Sequence, residues 1–371
     1  MSSTSPRVRL LRRLAILSAV VVAGFALAAT ASAATVTTFA TGLNNPRGLK
    51  FGPDGRLYVA EGGLGGSLMT TPAQCPQVAP IIGPYTGGFT ADIVRFAPNG
   101  TKTVVASGLP SDQTGPARNF RSGVADVAFV GHRLYALLAG AGCSHGHIDP
   151  DNGIIRVNHD GTTTQVADLS AFVKANPVAN PDPDDFEPDG TWYSMVAVHD
   201  QLYATEPNHQ EVDRVDPWTG QISRVIDMSK LFPGSTDWQG PTTITYRGNF
   251  FLGTLGTFPV IPGSQTVFKL TPSGKLKPWA TGLTTILGLA FGHRDRMYVL
   301  ETSDQAGNPT PGTGDIVRID PSGARTTIVS GLTFPTGMTI GPDGNLWVSN
   351  QGFGPTTPGF GQILRINPNQ H

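Results

Sequence analysis

The sequence carries little charge of either sign. Asp, Glu, Lys and Arg together make up 14% of the 371 residues, and the formal net charge is −1. It has no basic patch of the kind that grips a phosphate backbone, which argues against nucleic acid as a partner. Cysteine is nearly absent, with only Cys75 and Cys143. Catalytic signatures are missing as well: there is no Gly-x-Ser-x-Gly elbow, no Walker loop, no His-Glu-x-x-His pair and no dinucleotide fingerprint. Long apolar runs are limited to Leu14–Ala29, whose 16 residues fall short of the roughly 20 that a bilayer span needs.

That one run has the flanks of an export signal. Arg7, Arg9, Arg12 and Arg13 precede it, and Ala31-Ser32-Ala33 follows with the small-x-small pattern a signal peptidase accepts. Residues 1–33 are therefore expected to be a cleaved signal peptide, leaving 34–371 as a secreted domain without a membrane anchor. The Arg12-Arg13 pair leaves the general secretory and twin-arginine routes both open.

What is abundant is Gly (46) and Pro (31), spaced as punctuation between short alternating apolar runs, the pattern of many strands and turns. The punctuation is periodic. Gly48 to Val59 reads as two strands around a Gly-Pro-Asp-Gly turn, and the hairpin returns at 127–136, 196–204, 244–252, 289–299 and 338–348. Each is followed by a strand of apolar-x-basic-apolar form, containing Arg95, Arg156, Arg214, Lys269, Arg318 and Arg365 in turn. The basic residue is read as solvated, with its stem on the sheet. Four strands per unit and six units predict an all-β, six-bladed β-propeller. The sixth unit ends one strand short at Ile366-Asn367-Pro368, while Val36–Leu43 matches the outer strands at 277–283 and 326–332. The N-terminal strand is thus expected to complete the last blade and remove a free sheet edge.

The long insertions all fall on one face of such a ring, at 62–91, 110–124, 140–152, 170–193, 256–265, 302–314 and 349–361. Loops on a rigid scaffold are the usual place for binding or chemistry. Cys75 and Cys143 lie in the insertions of neighbouring blades, and an oxidising compartment would pair them.

Three polar groupings are candidates for that role. Glu61, Glu206, Glu301 and Asn350 end the second strands of four blades, one step away from the axis, where capping of nearby loop amides is the expected role, with oxygen ligation of a divalent cation or a polar ligand as the alternative. His145 and His147 sit two apart on a blade 2 loop; such histidines are commonly solvated or loop-bracing, and as the alternative they offer imidazoles for a metal or for acid and base work. The acidic stretch Pro181–Gly190 reads as a solvated loop, and the Glu206-Pro207-Asn208-His209 connection faces the same rim. The catalytic candidates are accordingly His145, His147, Glu206 and His209. The ligand-binding candidates are Arg47, Glu61, Glu206, Asn208, His209, Glu301 and Asn350. No cofactor and no metal ligands are fixed by these residues, and a divalent cation is the one cofactor they leave open.

Leu43-Asn44-Asn45-Pro46-Arg47-Gly48-Leu49, Phe51-Gly52-Pro53-Asp54-Gly55, Gly83-Pro84-Tyr85-Thr86-Gly87-Gly88, Asp185–Tyr193 and Glu206-Pro207-Asn208-His209 resemble segments of the ScyD/ScyE family, secreted bacterial propellers named for genes found with scytonemin pigment biosynthesis. The likeness spans the mature chain and implies the propeller fold and secretion. It implies no particular reaction. Gluconolactonase-like and SMP-30-like propellers, more distant, place carboxylates and amides at the start of the innermost strands to hold a channel metal. The matching positions here are Arg47, Ala125, Ser194, Thr242, Leu287 and Thr336, none of them such a residue, with Asp126 one step inward. The Pro-Asp-Gly turns also resemble NHL repeats. The sequence thus points to a monomeric secreted propeller that binds a small molecule, glycan or protein on its long-loop face. The alternative is an extracellular hydrolase or lyase, metal-assisted or not, acting at that face.

Overall fold

Each blade starts from the same local rule. Alternating apolar residues pack one sheet face against each neighbouring blade, and a turn built on Gly, Asp or Asn reverses the chain. The computed structural model describes residues 34–80, 82–115, 120–181, 186–232, 238–352 and 357–368. The expected signal peptide, 1–33, lies outside them, as do Asp182, Asp184 and Asp185 of the acidic stretch.

Among the described residues the strands form six antiparallel sheets arranged as a propeller. Blade 1 comprises Pro46–Phe51, Leu57–Glu61, Thr86–Phe96 and Lys102–Gln113, with a short fifth strand, Arg121–Ser122. Blade 2 runs through Val124–Val130, Arg133–Leu138, Gly153–Val157 and Thr163–Asp168, and blade 3 through Ser194–Val198, Gln201–Glu206, Glu211–Val215 and Ile222–Asp227. Blade 4 has Pro241–Tyr246, Phe250–Thr254, Gln265–Leu270 and Leu276–Leu283. Blade 5 has Ile286–Phe291, Met297–Glu301, Gly314–Ile319 and Arg325–Leu332.

Blade 6 takes three strands from the C-terminal end, Gly337–Ile340, Leu346–Asn350 and Gly361–Asn367, and its outer strand from Thr35–Leu43. The register runs from Thr35 opposite Asn367 to Leu43 opposite Gly361, so the N-terminal strand closes the ring as its sequence match implied. Phe39 on that strand sets its ring edge-on to Trp347 of blade 6 at 4.7 Å and to Phe96 of blade 1 at 5.8 Å. The core lies between blades: Tyr58, Ala60 and Ile93 of blade 1 bury against Val127, Leu134 and Ile155 of blade 2, and the other interfaces repeat this pattern.

Two departures from the sequence reading shape the long-loop face. The third and fourth strands of blade 1 continue beyond the sheet into segments expected to be loop, pairing Thr86 with Gln113 and Gly88 with Ser111. The glycines of this extension touch neighbouring groups: a Cβ on Gly87 would lie 2.4 Å from His147 Nε2, and one on Gly88 would lie 2.4 Å from the Gly65 carbonyl. The other departure is a helix, Leu169–Ala175, capped by the Asp168 carboxylate, which accepts from the Ala171 N–H at 2.8 Å.

Candidate functional site

The raised hairpin of blade 1, the Cys143–His145 turn of blade 2 and the Glu187–Asp189 approach to blade 3 meet around His145. That side chain is fully buried. Its Nδ1 bonds to Asp112 Oδ2, and its Nε2 faces Glu187 Oε2 at 3.4 Å. Tyr85 Oη donates to Glu187 Oε1 at 2.7 Å, and its ring stands edge-on to the imidazole. Burial opposes a charge on His145, but Asp112, then Glu187 and Asp189, outweigh it and raise its pKa to about 9. Burial lifts Glu187 to about 7. The imidazole is therefore an imidazolium at neutral pH, already bonded to a carboxylate and shut away from solvent.

The other histidines are held as firmly. His147 Nε2 bonds to the Ser111 carbonyl at 3.1 Å and its ring meets Phe89 edge-on at 4.9 Å. His209 Nε2 bonds to the Glu187 carbonyl at 2.9 Å, and Phe186 stacks on its ring at 5.1 Å. Burial lowers both pKa values. Glu187 and Asp189 differ from the solvated acidic loop that the sequence suggested, because both are buried. Asp189 Oδ2 accepts from the Ser144 N–H and hydroxyl, each at 2.6 Å, and its Oδ1 pairs with Lys174 on the helix. Burial works against its charge, but these donors hold its pKa below the usual value.

A Cys75–Cys143 disulfide ties the blade 1 insertion to the same turn across a sequence separation of 68. Replacing Cys143 with Ser is expected to lower the unfolding free energy by about 2–4 kcal/mol, measured by urea denaturation at neutral pH. A change below about 1 kcal/mol would contradict the bracing role.

Glu61, Glu206, Glu301 and Asn350 each hold a loop amide. Each accepts the backbone N–H of a residue in the crossover before its own blade's first strand: Asn44 at 2.6 Å, Thr191 at 2.7 Å, Thr284 at 2.8 Å and Thr333 at 3.0 Å. Glu206 also accepts from the His209 and Asn208 N–H groups. One position of the repeat thus anchors four crossovers. Arg47, also expected at a ligand, is buried, donating to Tyr193 Oη at 2.9 Å and to the Arg121 carbonyl.

Three of these anchors have an acidic neighbour across the strand: Asp92 beside Glu61, Glu211 beside Glu206 and Asp315 beside Glu301. Lys102 approaches Glu61 at 3.6 Å, and Arg224 pairs with Glu211. No cation is paired with Glu301 and Asp315 among the described residues. Burial, then the facing Asp315, raise Glu301 to about 8, and burial, then Asp304, raise Asp315 to about 7, so Glu301 is mostly protonated at neutral pH. Folded-state pKa values above the unfolded ones stabilise the fold at low pH, and that contribution disappears as pH rises through about 7–8. Urea midpoints are expected to fall between pH 5 and pH 8.5, with a shallower fall in Glu301→Gln. Identical slopes would contradict the assignment.

The axis offers little space. Asp126 is buried there, accepting from the Met195 N–H at 2.9 Å and facing Lys50 Nζ at 3.7 Å. The axial cavity, about 20 Å³, holds roughly one water. Among the described residues no three or more His, Cys, Asp or Glu side chains are grouped to hold a metal ion.

No family model matches the chain, and no curated protein matches it. Among solved structures it is similar to a protein of unknown function from Bacteroides thetaiotaomicron, at 10% identity and TM-score 0.56 over 90% of this chain and 76% of that one. A Thermus thermophilus protein assigned as an oxidoreductase (glucose dehydrogenase) matches at 16% identity and TM-score 0.54 over 90% and 100%. A gluconolactonase from Xanthomonas campestris matches at 10% identity and TM-score 0.51 over 90% of each chain. The chain is a six-bladed β-propeller. At these identities the likeness is one of fold, and propellers host unrelated functions.

Proposed function

We propose that the protein is a secreted propeller of the ScyD/ScyE type that binds a small molecule, glycan or protein on its long-loop face without transforming it. The observation that carries this reading is a contrast on that face. Its acid and base candidates are buried and engaged, whereas its loops expose apolar side chains. Leu68 is 44% exposed, Met69 63%, Phe89 49% and Ile148 64%. They lie together: Leu68 exchanges backbone bonds with Gly87, and Phe89 packs on His147, next to Ile148. Phe186, Ile261 and Phe360 are exposed on other loops of the same face. Contiguous exposed apolar surface rimmed by polar groups marks interaction sites. In this reading Arg47, Glu61, Glu206, Asn208, His209, Glu301 and Asn350 shape the loops that present the patch. The paired cysteines and the ScyD/ScyE-like segments support an extracellular setting.

The test compares wild type with Met69→Asp/Ile148→Asp and with His209→Ala, each checked for an intact fold. Capture is measured against a panel of aromatic small molecules, oligosaccharides and secreted proteins, and hydrolysis against lactones and esters. Capture by wild type that the double variant loses, with no turnover in any form, is expected. Turnover abolished by His209→Ala, or capture of nothing by wild type, would overturn the reading.

A further inference from the structure

The tight-turn face, opposite the elaborated rim, carries a groove of about 450 Å³ between blades 1 and 2, within the size range of ligand sites. Its charged lining is wholly basic: Arg95, Arg133 and Arg156, with His132 and His159. The floor is aromatic and aliphatic, with Phe129 and Tyr58 edge-on at 5.0 Å.

Comparison with the other blades shows how the charge accumulates. In blades 1 and 6 the first hairpin turn carries an aspartate that pairs with the third-strand arginine, Asp54 with Arg95 at 4.0 Å and Asp343 with Arg365 at 2.8 Å. The corresponding turn of blade 2 is Gly131-His132-Arg133, which replaces the acid with basic residues. A second acid follows the third-strand arginine by two residues in blades 3 and 5, as Asp216 and Asp320, and Asp320 pairs with Arg318 at 3.4 Å. Blade 2 has Asn158 there, accepting from Arg156 Nε at 3.3 Å. Both counter-charges that neutralise the motif elsewhere are therefore missing, and neither Arg133 nor Arg156 forms a salt bridge among the described residues. The equivalent groove between blades 6 and 1, about 300 Å³, contains Asp343 beside Arg365.

From this geometry we infer that the blade 1–blade 2 groove binds an acidic saccharide, one carrying carboxylate or sulfate groups on its sugar rings. Guanidinium groups match the planar, bidentate geometry of such oxyanions. A sugar is favoured over a bare anion because of the aromatic surface at the groove. Phe129 and Tyr58 line it, and beside it Arg133 lies over the ring of Trp218, 55% exposed, at 4.4 Å. Sugar rings stack their C–H faces on such surfaces. This site is on the opposite face from the apolar patch and does not depend on the function proposed for it.

The experiment titrates the full protein with trigalacturonate, a sulfated disaccharide, neutral galactotriose and inorganic phosphate, using calorimetry at low and moderate salt. At least one acidic saccharide is expected to bind, the two arms separating carboxylate from sulfate recognition, and galactotriose and phosphate are expected to bind at least tenfold more weakly. Arg133→Ala/Arg156→Ala should weaken that binding at least tenfold. Asn158→Asp, which restores the residue of blades 3 and 5 and so spares the fold, should weaken it several-fold. Met69→Asp on the far face should leave it unchanged. Failure of both acidic saccharides to bind, phosphate binding as tightly as either, or an affinity unmoved by Asn158→Asp and the double arginine variant would each overturn the inference.

Discussion

A chain that starts at Asn44 is expected to lose its single cooperative unfolding transition and to self-associate. Without Thr35–Leu43 the edge of Gly361–Asn367 is bare, a row of unpaired backbone groups ready to pair with another chain. The loss also uncovers Trp347 and Phe96, between which Phe39 is wedged, and removes Leu43 from a fully buried position. A milder probe is Phe39→Ala. Because the ring is only partly buried, about 2 kcal/mol is expected, below the ~3–5 kcal/mol typical of a fully buried phenylalanine. Thermal denaturation and size-exclusion chromatography check both outcomes. A truncated chain that stays monomeric and unfolds at the wild-type midpoint would show that the ring does not depend on this strand.

The second large effect concerns the rim. Replacing His145 with Ala is expected to cost about 3–5 kcal/mol, because it leaves the buried Asp112 carboxylate without its cation and Glu187 without its neighbour. Far less should be lost when Asp112 is already Asn, since the charge to be compensated is gone, and a double-mutant cycle by urea denaturation measures the difference. The pH dependence has a definite sign. A histidine whose folded pKa is raised to about 9 stabilises the fold fully below its unfolded value near 6.5, and that contribution vanishes as pH rises through 9. A cost under about 1 kcal/mol, equal in both backgrounds, would contradict the brace.

The propeller was legible because its units repeat. The hairpin and the basic third strand recur six times, and the missing last strand could be matched to residues 36–43 by their likeness to two outer strands. The anchors were legible for the same reason: Glu61, Glu206, Glu301 and Asn350 hold one position of the repeat, although their amide partners depend on how the crossovers fold back. The His145 network was only half legible. His145, Glu206 and His209 stood out by residue type, but Asp112 and Tyr85 lie in segments whose Gly and Pro content reads as loop. Their role depends on blade 1 continuing its hairpin above the sheet. Glu187 and Asp189 looked solvated because they sit in an acidic run, and only their contacts with Tyr85, Ser144 and Lys174 show otherwise. The basic groove was hidden for a different reason. Its cations come from three separate segments, and its signal is the absence of two aspartates, one present in blades 1 and 6 and the other in blades 3 and 5.

The rim histidine with the most catalytic appearance, His145, is a buried brace that carries its charge at neutral pH. The direct measurement is the ¹⁵N chemical shift of the His145 imidazole across pH 5–10. Both nitrogens are expected to remain protonated through neutrality, with a midpoint near 9 and no change in the signal on adding lactones or esters. A midpoint near 6.5, the value of a solvated histidine, or a shift on adding such a substrate would contradict it and return His145 to the candidate acids and bases.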